Sequence, residues 1–118
     1  MTATKLLDLI GWAFGLAYGL YVFYLSYVTL NAARLNGKLD MAPRPVKWIG
    51  WSIVSIGAVL DVSFNVTVGS VVYLELPELS RLFFTARCAK WKPDPGWRGD
   101  IARYVCDGWL NPFEAGHC

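Results

Sequence analysis

Residues 48–74, WIGWSIVSIGAVLDVSFNVTVGSVVYL, run for 27 positions with one formal charge, Asp61, at the middle. A segment this long can cross a bilayer as a helix. An uncompensated carboxylate at its centre costs roughly 3 kcal/mol on translocon scales. The stretch is therefore either a membrane helix with a placed acid or not a membrane helix. Its thirteen Val, Ile, Leu and Phe residues contribute roughly 4–8 kcal/mol towards insertion, enough to carry one acid.

A β reading competes, because VSFNVTVGSVVYLEL is rich in β-branched residues and partly alternates. On a helical wheel, however, Val54, Ala58, Asp61, Asn65, Gly69 and Val72 fall on one face, so the polar atoms form a stripe. Lipid also excludes an unpaired strand. Trp48 and Trp51 at one end and Tyr73 at the other suit the two interfaces. The helix reading wins, and Asp61 is expected to face protein, protonated or hydrogen-bonded within a helix–helix contact. Asn65 lies one turn away, and Tyr18 is expected at similar depth on the first helix. As a lone acid without a basic partner, Asp61 reads as structural glue ahead of a proton or ion site.

After a leader at residues 1–8, the 25 residues from 9 to 33 carry no formal charge. As a helix they would be about 37 Å long, ample for a hydrocarbon core of about 30 Å. Gly11, Gly15 and Gly19 recur every fourth residue, and Tyr18, Val22, Ser26, Thr29 and Ala33 continue that face. Glycine lets membrane helices approach closely, so this stripe predicts a packing face for the second helix or another copy of the chain. Glycine is also simply common in membrane helices. Phe14, Tyr21, Phe23, Leu25 and Val28 read as the lipid side. The basic loop at 34–47 contains Asn36-Gly37, Pro43 and Pro45 and makes the two spans an antiparallel hairpin.

Residues 75–118 turn polar. Glu75, Leu76 and Pro77 end the second span. Arg81, Arg87, Lys90 and Lys92, interleaved with Leu82, Phe83, Phe84 and Trp91, then suit an anionic membrane surface, as do Trp97 and Trp109. Residues 93–96, PDPG, make a turn before a short amphipathic helix with Ile101, Val105, Cys106, Trp109 and Leu110 on its apolar side. The fold class is thus an all-α membrane protein, a two-helix transmembrane hairpin with an amphipathic, partly helical C-terminal tail.

A net charge of +2 with scattered basic residues gives no case for nucleic acid. Three cysteines, Cys88, Cys106 and Cys118, leave an odd count and no CxxC pair, which leans towards free thiols in a reducing compartment. Their spacing makes a poor zinc site, and His117 is the single histidine. No catalytic set, cofactor or metal is expected. The loop's four basic residues against five around the termini lean towards a cytoplasmic tail.

Asp61, Asn65, Gly69-Ser70 and Glu75-Leu76-Pro77, then residues 82–87 (LFFTAR), Gly96-Trp97-Arg98, Ala102, Cys106, Asn111-Pro112-Phe113 and Gly116-His117-Cys118 form a pattern over about residues 57–118. It resembles small membrane proteins encoded by tailed bacteriophages and prophages. The resemblance implies the inner membrane of a bacterial host and a multi-pass protein, and it supplies no mechanism. Two readings follow. In the first, the chain self-associates through its glycine face as a homo-oligomer and acts in a holin-like way in host lysis. In the second, the hairpin anchors a tail that binds a phage or host membrane protein, in superinfection exclusion or virion entry or assembly. A third makes Asp61 part of an ion path.

Overall fold

The computed structural model describes residues 1–118, and its regular elements are all helices, with no strand. Two helical stretches, Ala3–Leu35 and Arg44–Tyr73, are long and apolar enough to cross a membrane. The chain divides into two units, residues 1–60 and 61–118.

The first unit begins with α1, Ala3–Leu35. The expected leader is helical from its third residue, because Thr2 caps the helix and its Oγ1 accepts the Lys5 N–H at 3.3 Å. At the other end Gly37 takes φ 72°, its N–H reaches the Arg34 carbonyl and the Lys38 N–H reaches Ala33. That is a glycine-dependent helix stop. A 3-10 turn, Leu39–Met41, follows. Helix α2, Arg44–Phe64, starts earlier than residue 48 because Pro45 sits in its first turn. There a missing N–H costs no intrahelical bond. Pro43 accepts the first bonds, from Val46 and Lys47.

The contacts between α1 and this part of α2 correct the expected packing. A Cβ built on Gly50 would lie 3.4 Å from Leu30, and one built on Gly57 3.4 Å from Phe23. Seven residues up one helix match seven down the other, so the contacts run antiparallel. Phe23, expected in lipid, instead fills the space left by a glycine. The hole is on α2 and the knob on α1. Nothing lies within 4 Å of a Cβ built on Gly11, Gly15 or Gly19.

The second unit opens on the end of α2. The helix widens into a π turn, Asn65–Gly69, and finishes as α3, Ser70–Tyr73. Leu74 stops it in the left-handed region at φ 49°, a conformation a leucine adopts at some cost. Arg98 compensates: its Nε donates to the Tyr73 carbonyl at 2.8 Å, capping the helix end with a cation. An irregular segment then leads to α4, Phe84–Trp91, and α5, Trp97–Val105, which runs into a second π turn, Cys106–Leu110. Tyr73, Cys88, Ala102 and Cys106 are fully buried and form the core, with Val72, Phe84, Trp91, Ile101 and Val105 against them.

The free-thiol expectation is overturned for two of the three cysteines. Cys106 and Cys118 are disulfide-bonded, their Cα atoms 5.4 Å apart, while Cys88 is free and buried. The π turn aims Cys106 inward, and the Asn111 side chain accepts the Cys118 N–H at 3.0 Å, folding the terminus back. Sequence spacing carried no signal for this pairing.

Candidate functional site

The helix face that carries Asp61, Asn65 and Gly69 meets the chain's own tail. Asn65 is fully buried, and its Nδ2 donates to two main-chain carbonyls of the irregular segment, Arg81 at 3.2 Å and Leu82 at 2.8 Å. One turn earlier, Asp61 Oδ1 accepts the N–H of Phe84 at 2.9 Å. Phe84 is the first residue of α4, so the carboxylate sits where a helix N-terminus offers unpaired N–H groups and a partial positive charge. The shared polar face was legible. Its partner was not: Asp61 and Asn65 bond the backbone of the tail, where the sequence pointed to another membrane helix.

Gly69 is small for the same reason. A Cβ there would come 3.1 Å from Asn65 Oδ1 and 3.2 Å from Phe84 Cδ2. The π turn widens the backbone at this crossing, and such turns concentrate at functional positions. Ser70 Oγ donates back to the Asn65 carbonyl at 3.3 Å and accepts from both terminal nitrogens of Arg87 at 3.4 Å. Arg87 is 3% exposed, which removes it from the expected membrane-surface row. Asn65 Oδ1 is buried without a hydrogen-bond partner.

The other cations of that row pair with acids of the same unit, Arg81 at an exposed position. Lys90 pairs with both Glu75 and Glu78, Arg81 pairs with Glu78 at 3.2 Å, and Trp91 Nε1 donates to Glu75 at 2.7 Å. The hydrogen bonds that Lys90 donates to Glu75 and then Glu78 raise its ammonium above its ordinary value, and those that Glu78 accepts from Lys90 and then Arg81 lower the Glu78 carboxyl. Lys92 binds Asp107 at 2.9 Å and the Cys118 carbonyl at 3.1 Å. Arg103 donates at 2.8 Å to the carbonyls of both Lys92 and Asp94 and so ties the turn. Of the expected surface residues, Arg81, Trp97 and Trp109 remain exposed. The guanidinium of Arg98 lies over Trp91 and Trp97, 4.7 and 4.9 Å from their ring centres. The row alternates in sequence, but the acids Glu75, Glu78 and Asp107 come from outside it and pair with three of its four cations.

The remaining predicted packing residues lie in the first unit. Tyr18 is exposed, Ser26 Oγ donates to its own helix at Val22 (3.0 Å), and Ala58 is half-buried. Cys88 Sγ lies 3.3 Å from the Tyr73 hydroxyl, and burial pushes its thiol up to about 11, which keeps it protonated and unreactive at neutral pH. The geometry is that of a structural seam: two side chains of one helix hold an irregular backbone in place, and an ion-pair cluster closes its upper edge. Comparison with protein families, curated proteins and solved structures finds no match to this chain.

Proposed function

We propose that this chain is a non-enzymatic, integral inner-membrane protein of a bacteriophage or prophage, whose helical hairpin anchors a folded C-terminal module that binds a phage or host membrane protein. The observation that carries this reading is the tail itself. Its cations are committed to internal acids and carbonyls, so it is built as a module and not as a loose basic segment for anionic lipid. A holin needs only its spans and a short soluble end. Superinfection exclusion and virion entry or assembly are the tasks such an anchored binder fits.

The Cys106–Cys118 disulfide supports a tail on the periplasmic side, since disulfides persist in oxidising compartments. This reverses the cytoplasmic lean drawn from free thiols and from the charge count, placing the four basic residues of the connecting loop inside and the five around the termini outside.

The holin-like reading keeps one specific support. The Gly11, Gly15 and Gly19 face has open space above it, as a face reserved for another copy would. Controlled expression in a bacterial host separates the two. Intact membrane potential together with resistance to infection supports the anchored binder. Depolarisation that Gly15→Leu abolishes would replace it with an oligomeric lesion former.

A further inference from the structure

We infer that residues 76–83 form a re-entrant segment that dips into the acyl region of the leaflet on the tail's side, so that the surface it exposes is covered by lipid chains. This rests on the membrane-spanning reading of the second helical stretch.

The segment leaves the helix at Leu74 and returns to bond Asn65 and Asp61. Asp61 lies twelve residues before Tyr73, about 18 Å back along the axis. The stretch Arg44–Tyr73 has 30 residues. A hydrocarbon core of about 30 Å centred on it covers about residues 49–68. Asn65 and Asp61 then lie about 5 and 10 Å inside that core. Trp48 and Trp51, both exposed, mark the opposite interface and agree with this placement.

Three features fit a segment at that depth. Four apolar side chains point outward, Leu76 83% exposed, Leu79 93%, Phe83 45% and Leu82 39%, beside exposed Ser80 and Arg81. Its charges cancel, since Glu75, Glu78, Arg81 and Lys90 form one connected cluster of two acids and two bases. Its turn backbone is paired where it is deepest. Asn65 serves the carbonyls of Arg81 and Leu82, Asp61 serves the N–H of Phe84, and the Arg81 N–H bonds the Glu78 carbonyl at 3.0 Å. Non-helical backbone survives at membrane depth only when protein groups satisfy it. This gives Asp61 and Asn65 a reason to sit in an apolar span.

The native thiols are buried or oxidised, so an introduced cysteine is the reactive one. Leu79→Cys, Val59→Cys and Tyr104→Cys, each at an exposed position, are reconstituted in open lipid bilayers and treated with a charged maleimide. The reaction needs a thiolate and therefore water. Leu79→Cys is expected to react at least about tenfold more slowly than Tyr104→Cys, as Val59→Cys does, with all three equal after denaturation in SDS. Protected Val59→Cys beside Leu79→Cys reacting as fast as Tyr104→Cys would overturn the re-entrant segment alone and leave this surface in water, open to a protein partner. Rapid reaction at Val59→Cys would remove the membrane span and the inference with it.

Discussion

Replacing Asn65 by alanine tests the seam most directly. The substitution strips the donor from two part-buried carbonyls, Arg81 at 3.2 Å and Leu82 at 2.8 Å. Leaving an acceptor unpaired costs about 1–3 kcal/mol. Asn65 Oδ1 has no hydrogen-bond partner, so deleting it returns part of that cost. We expect a net loss of about 2–3 kcal/mol. Cys88 supplies the assay. It is fully buried, its thiol is pushed up to about 11, and it is the single thiol outside a disulfide, so its alkylation under native conditions reports how often the tail opens. At 1.4 kcal/mol per tenfold, Asn65→Ala should speed Cys88 alkylation by about 30- to 150-fold. Asn65→Asp should do at least as much, because it keeps the shape but turns a second oxygen towards two carbonyl oxygens. A change below about threefold for alanine, or wild-type behaviour for aspartate, would refute the view that these bonds hold the tail down.

Thiol titration in denaturant should find one reactive thiol per chain before reduction and three after it, given Cys88 free and Cys106–Cys118 bonded. Three before reduction would remove the disulfide and the periplasmic placement together. Cys118→Ser should cost the second unit about 3 kcal/mol on the loop-entropy account. Gly57→Leu drives a side chain into Phe23, already 3.4 Å from an added Cβ, and should weaken the α1–α2 contact by about 1–3 kcal/mol. Gly15→Leu meets no neighbour and should leave that contact intact, so equal unfolding shifts for the two variants in micelles would contradict the observed packing. Lys92 holds the Asp107 carboxyl below its ordinary 3.8. The stability this adds is present above pH 3.8 and fades as pH falls through the lower folded value. Asp107→Asn should therefore blunt the acid-induced change in tryptophan fluorescence, and an unchanged acid limb would count against the ion pair.

The sequence alone determined the helical class, two apolar stretches long enough to cross a bilayer, and a common face for Asp61, Asn65 and Gly69. These follow from hydropathy and from a period of 3.6, both local properties that each residue expresses wherever it is placed. It also located the turn at residues 93–96 and an apolar side that runs from α5 into the π turn, where Cys106 and Leu110 are buried. Tertiary structure decided who meets whom. The glycine stripe of α1 was the stronger motif, yet Gly50 and Gly57 receive the large side chains, because a knob needs a hole and not a second small residue. Arg81, Arg87, Lys90 and Lys92 looked like a membrane-binding row, but Lys90 and Lys92 meet acids distant in sequence, Arg81 pairs with Glu78 three residues away, and Arg87 is buried against the Ser70 hydroxyl. Arg98 drew notice only within the resemblance pattern, and no local signal ties it to the carbonyl of Tyr73, 25 residues earlier. The pairing of Cys106 with Cys118 depends on a π turn and a folded-back terminus, which residue spacing does not encode.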